Sequence, residues 1–127
     1  MEEVIETKDI IYNEYEEEFA YAKLQGPNLL KFVKKKTAFL GRESPIVYFQ
    51  CDEEVIFISD SNKISRKHLK IYWCGKEAQW FAKNLSKNPV IINRKTLKQT
   101  EDAVIISPVS AIKIDNSEFY FIQAVEE

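Results

Sequence analysis

Glycine is scarce in this chain of 127 residues, with only Gly26, Gly41 and Gly75. Nothing matches the glycine-rich loops GxxxxGK[ST] or GxGxxG that cradle nucleotide phosphates. Histidine occurs once, as His68, and the two cysteines, Cys51 and Cys74, stand far apart in no metal-binding or redox spacing. Without a Cys–His pair, neither a zinc site nor a nucleophile–base couple can be assembled. The expectation is a protein that is not an enzyme and holds no metal, cofactor or small-molecule substrate. No apolar run approaches about 18 residues, the length a membrane helix needs. The opening "MEEVIETKDI" is acidic and lacks an apolar signal core. These absences point to an intracellular protein with reduced thiols and no membrane association.

Other features are well represented. Hydrophobic residues make up 45% and aromatics 13%, which suits a packed core rather than a disordered chain. The length fits one domain. The formal net charge of -2 hides an asymmetry. Residues 1–18 carry eight acids and one base, Lys8, for a net -7, whereas residues 19–127 hold 17 bases and 12 acids, a net +5. The chain therefore divides into an acidic leader, 1–18, and a basic body, 19–127. A solvated tail is one reading of the leader; a segment that shields a basic anion-binding face is the other.

The body is written in short β-like runs separated by turn residues. The runs cover 19–24, 29–34, 37–41, 46–50, 55–59, 68–73, 79–84, 89–93, 103–107, 110–115 and 118–124. No sustained helical period appears. Ten or eleven short strands at regular intervals predict an all-β protein, an antiparallel β-sandwich. In "HLKIYW", Leu69, Ile71 and Trp73 alternate with His68, Lys70 and Tyr72, so a polar, basic knot stands directly before a half-buried strand.

The loops at strand junctions contain anion-binding material. "LGRES" places Arg42 behind a glycine that allows a tight turn, and "KISRKH" offers the Ser65 hydroxyl with Arg66 and Lys67. "NLSKNPVIIN" supplies Lys87 and Asn88. Loops at one end of a sandwich converge, and guanidinium, hydroxyl, ammonium and amide groups together make a phosphate pocket with a peptide-backbone clamp. Two rival readings stand beside this one. The basic body with "KKK" at 34–36 suggests a nucleic-acid-associated domain, although a lysine run at a turn is ordinarily solvated. A phosphate-independent scaffold is the other.

In these residues the chain resembles the forkhead-associated (FHA) domains, whose sandwich is also that of the SMAD-like folds. Gly41-Arg42, Ser65-Arg66-x-His68, Asn88 and Asn93 carry the resemblance, which with the strand pattern spans about 19–124. "AYAKL", "LGRES", "ISRKHLKIY" and the basic Lys87 look closest to forkhead box K-type and fungal forkhead-like transcription regulators. The resemblance implies a phosphothreonine-peptide binding module that mediates phosphorylation-dependent protein–protein interaction as a monomer. It also implies a nuclear setting and no direct DNA binding by this domain.

Roles follow position by position from the resemblance. Arg42 would contact the phosphate or adjacent backbone, Ser65 a phosphate oxygen, and Arg66 would line the surface. Asn88 would clamp the peptide backbone, and Lys87 would supply charge where relatives carry Thr or Ser. Lys63 would meet an acidic side chain three residues after the phosphothreonine, unless Asp52, Glu53 and Glu54 pair with it first. Gly41, His68 and Asn93 would support the loops. A small apolar hollow beside Asn88, with Val90 as a candidate wall, would sense the threonine methyl. Two departures stand out. Pro89 replaces the glycine usual after the asparagine, which fixes φ and removes an N–H. Residues 43–54 look like an insertion near the site or an added strand.

Overall fold

The computed structural model describes residues 20–124. The leader 1–18, and with it the idea that it shields the basic face, lies outside the described residues. Among the described residues eleven strands form two sheets. β1 (Ala22–Gly26), β2 (Leu29–Val33), β7 (Val90–Ile92), β8 (Lys95–Leu97), β10 (Val109–Ile114) and β11 (Ser117–Gln123) make one, in the order β2-β1-β11-β10-β7-β8. β3 (Thr37–Arg42), β4 (Glu54–Ser59), β5 (Leu69–Cys74), β6 (Gln79–Asn84) and β9 (Val104–Ile106) make the other, in the order β4-β3-β5-β6-β9. The sandwich expected from the strand pattern is the fold observed. All pairings are antiparallel except β3 with β4, which is parallel.

The inward halves of the strands make one core. Leu24, Leu40, Leu69, Ile71, Ile112, Ile114 and Phe121 are inaccessible or nearly so. Trp80 packs edge-on against Trp73 and Phe121 at ring separations of 5.8 and 5.6 Å, a favoured geometry for aromatic pairs.

Two expectations fail. The run 46–50 is not a strand, and Ile46, Tyr48 and Phe49 are exposed. β3 already has β5 on one side and β4 on the other. A parallel neighbour needs a crossover, so residues 43–53 form the connection that returns the chain to the start of β4. The missed strand is β8. It pairs with β7 through a two-residue turn in which Asn93 (φ 51°) and Arg94 (φ 72°) are both left-handed. That twist suits a tight hairpin, but Asn-Arg is not the usual Asn-Gly signal.

The registers define two poles. The end of β3, the starts of β5, β7 and β11, and the turns after β1, β4, β6 and β10 share one pole. Ala22 pairs with Val33 and Gln123 at the opposite pole, where the chain enters the fold.

Candidate functional site

At the first pole the end of β3 runs against the β4–β5 loop. The Arg42 N–H donates to the Ser65 carbonyl at 3.0 Å, and the His68 N–H to the Leu40 carbonyl at 2.8 Å. A Cβ on Gly41 would lie 1.8 Å from the Arg66 carbonyl oxygen and 2.7 Å from that of Ser65. Only glycine lets the loop cross here, a requirement of close approach. The same crossing aims Arg42 at the loop crest, where its Nε–H donates to the Ile64 carbonyl at 3.0 Å. One of five guanidinium donors is thus used to hold the side chain.

His68 is fully buried and joins two loops. Its Nδ1 accepts from the Ser65 N–H at 3.0 Å, so Nε2 carries the proton and donates to the Asn88 carbonyl at 3.1 Å. Burial holds its pKa below the ordinary 6.5, against the opposite pull of the Asn88 carbonyl and the Asp115 charge. The neutral ring is therefore the form that the fold selects.

The Ser65 hydroxyl shares a 2.7 Å hydrogen bond with the Ser86 hydroxyl, which also accepts from the Asn88 N–H at 3.1 Å. Beneath them, Asn84 accepts from the Ser86 N–H at 2.8 Å and donates to the carbonyls of Asn88 and Leu97 at 3.1 and 2.8 Å. Ser86 and Asn84 are buried, at 2% and 0% exposure, and sequence reasoning assigned neither a part. The alternation Asn84-x-Ser86-x-Asn88 was the only available signal, and it does not reveal that the first two point inward.

Asn88 donates from Nδ2 to the Lys63 carbonyl at 2.8 Å, which ties the β6–β7 loop to the β4–β5 loop. Arg42, Ser65, Asn88 and Lys63 thus stand on adjoining loops around one crest. Arg66 and Lys87 are exposed and make no hydrogen bond or ion pair among the described residues. Lys67 lies over the Phe39 ring at 4.3 Å. Asn93 is elsewhere. It holds the β7–β8 turn, accepting from the Ala111 N–H at 2.9 Å and donating to the Ser110 hydroxyl at 3.3 Å.

Beside Asn88 opens a cleft of about 450 Å³ lined by Lys63, Pro89, Ile91, Lys113 and Asp115. Asp115 is bonded to the Ser61 hydroxyl at 3.2 Å, so the β10–β11 turn braces the loop that carries Lys63.

The structure corrects three expectations about this region. Val90 is fully buried in the core and cannot wall a surface hollow; Pro89 and Ile91 present the apolar surface beside Asn88. Residues 43–54 leave the site at Arg42 but return to the opposite pole. There Glu54 accepts from the Lys34 and Lys35 N–H groups at 2.6 and 2.8 Å, and Glu53 from the Gln50 N–H at 2.9 Å. Those acids do not oppose Lys63; the carboxylate in its cleft is Asp115. Sequence reasoning named neither Lys113 nor Asp115 as part of the site.

Cationic, hydroxyl and amide groups on three loops with little backbone freedom suit a tetrahedral anion on a flanking chain. Comparison with known proteins finds the same fold. The chain resembles EmbR of Mycobacterium tuberculosis in complex with a low-affinity phosphopeptide, with TM-score 0.61 and 21% identity over 85% of this chain and 26% of that one. It also resembles the N-terminal FHA domain of S. cerevisiae Rad53p in complex with a phosphothreonine peptide, with TM-score 0.60 and 13% identity over 84% and 94% of the two chains. An FHA domain of a Chlamydia trachomatis protein matches with TM-score 0.56 and 20% identity over 82% and 96%. At these identities the likeness is one of fold. No curated protein sequence matches significantly. The family model of the FHA domain matches residues 39–115, from Phe39 in β3 to the turn at Asp115, and the chain belongs to the FHA-domain family.

Proposed function

We propose that this FHA domain binds threonine-phosphorylated polypeptides and acts by docking, without a chemical step. The observation that carries the reading is the single hydrogen-bonded web joining the Arg42, Ser65 and Asn88 loops through His68 and Ser86. Arg42 and the Ser65 hydroxyl meet phosphate oxygens, and the Asn88 carboxamide exchanges the Lys63 carbonyl for the peptide backbone. Lys87 and Arg66, both exposed, add charge at the rim. A phosphate carries about -1.5 to -2 charge, so the bare hydroxyl peptide is a far poorer partner. Pro89 and Ile91 offer the apolar wall for the threonine methyl.

Titration with a phosphothreonine peptide library is the test. Selected peptides bind in the micromolar range, about -7 to -9 kcal/mol, and dephosphorylation abolishes binding. Arg42→Ala costs about 2–5 kcal/mol of that, because charge on the ligand is left unpaired. Wild-type affinity in Arg42→Ala overturns the assignment.

The finer reading, a forkhead box K-type or fungal forkhead-like transcription regulator working in the nucleus, rests on sequence resemblance alone. Nuclear fractionation and recovery of forkhead-regulator complexes test it. The division into a leader and a binding domain predicts that residues 19–127 alone bind phosphopeptide as the whole chain does.

A further inference from the structure

The cleft beside Asn88 does not end at Ile91 and Lys113. The same two residues wall a second hollow of about 340 Å³, which runs past Ala111 and Glu118 to Tyr120. This hollow lies on the outer face of the six-stranded sheet. In β11, Phe119 and Phe121 are buried at 3% and 0% exposure, so Tyr120, at 53%, faces outward.

The registers extend the hollow into an apolar surface. Leu30, Gln25, Tyr120 and Ala111 form one row across β2, β1, β11 and β10. Phe32, Lys23, Ile122 and Val109 form the next. Tyr120, Ala111, Ile122 and Val109 make a continuous apolar block on β11 and β10, and Gln25 and Lys23 on β1 separate it from Leu30 and Phe32 on β2. Val109 and Tyr120 are 59% and 53% exposed, and Ala111 and Ile122 between them are half-buried. The solvent face of an antiparallel sheet normally carries polar side chains, and this apolar block departs from that pattern.

The geometry points to one occupant: an apolar segment of the same phosphorylated polypeptide, flanking its phosphothreonine. This inference rests on the phosphothreonine reading. Its independent ground is the continuity of the two hollows through Ile91 and Lys113. Size argues the same way. The apolar block covers two strands, about 10 Å, and about 7 Å along them. That strip is far smaller than the ~800 Å² per partner of a standard protein–protein interface, yet it suits one extended chain. From Asn88, Tyr120 lies about five residues along the strands and two strands over, on the order of 20 Å, or about six extended residues.

The test is a peptide library with phosphothreonine fixed and about eight randomised positions on each side, enough to pass the six-residue span. The wild-type chain is expected to enrich apolar residues near six positions from the phosphothreonine, on one side, with roughly a fivefold to tenfold gain in affinity. Tyr120→Asp removes that distal preference while phosphothreonine selection and thermal midpoint stay at wild-type values. Tyr120→Phe retains it. Phosphothreonine selection with no distal apolar preference overturns the inference, as does a distal preference that survives Tyr120→Asp. Concentration-dependent dimerisation abolished by Tyr120→Asp assigns the rows to a second copy and also overturns it. Absence of phosphothreonine selection brings down the phosphothreonine reading itself, and this inference with it.

Discussion

The hydroxyls of Ser65 and Ser86 lie 2.7 Å apart, one on each of two loops that the sequence separates by the whole β5–β6 hairpin. Ser86 also receives the Asn88 N–H, so one buried hydroxyl orients both Ser65 and Asn88, the residues proposed to meet the phosphate and to clamp the peptide. Ser86→Ala is expected to leave the Asn88 N–H unpaired and to cost about 1–3 kcal/mol of stability. Phosphopeptide affinity should fall as well. Ser65→Ala should reduce affinity with a smaller stability loss, because its hydroxyl is only half buried. Urea unfolding and peptide titration of both variants separate the two effects.

Of the three glycines, Gly41 is the least able to accept a side chain. Gly41→Ala puts a methyl group 1.8 Å from the Arg66 carbonyl oxygen, and the neighbour that must give way is backbone. The β3 end and the β4–β5 loop must separate, breaking the Arg42–Ser65 backbone bond. The expected loss is about 3 kcal/mol or more in chemical denaturation, with phosphopeptide binding lost. A folded Gly41→Ala protein with wild-type affinity contradicts this account of the crossing.

Protonation of His68 opposes the fold. Burial lowers its pKa below 6.5, so the unfolded chain takes up the proton first as the pH falls. The stability associated with the neutral ring is fully present above about pH 6.5 and is lost progressively below it. A protonated Nδ1 can no longer accept the Ser65 N–H, so affinity should decline over the same range. Thermal midpoints measured between pH 7.5 and 5.5 should fall for wild type. They should fall less steeply for His68→Gln, which starts lower but has no proton to gain.

On the proposed reading, charge recognition beside the phosphothreonine is expected to fall to a pair of lysines. Lys63 and Lys113 share the cleft with Asp115. A preference for Asp or Glu three residues after the phosphothreonine is expected, worth only about 0.2–1 kcal/mol because both lysines are exposed. Lys63→Ala should weaken it and Lys63→Ala with Lys113→Ala should remove it, measured with peptides differing only in Asp or Ile there. A preference that survives the double variant excludes both residues as its source.

The sandwich could be read before any coordinates because each strand writes its own burial: Leu69, Ile71 and Trp73 alternate with Lys70 and Tyr72 whatever lies next to them. The family could be read because Gly41-Arg42 and Ser65-x-x-His68 are short, local patterns at strand junctions. Which segment pairs with which is a long-range matter, and there the alternation misled. Residues 46–50 have the composition of a strand, yet β4 and β5 occupy both sides of β3, so the segment is the return path. Asn84 and Ser86 look like loop polars but point inward, because a buried asparagine can satisfy the Leu97 and Asn88 carbonyls only when β6 and β8 end together. Lys113 and Asp115 enter the cleft, and Tyr120 the row beyond it, because β10 lies beside β7 and β11 beside β10. Local periodicity reports whether a side chain is inside. The neighbours it meets there follow from strand order, through contacts that span most of the chain.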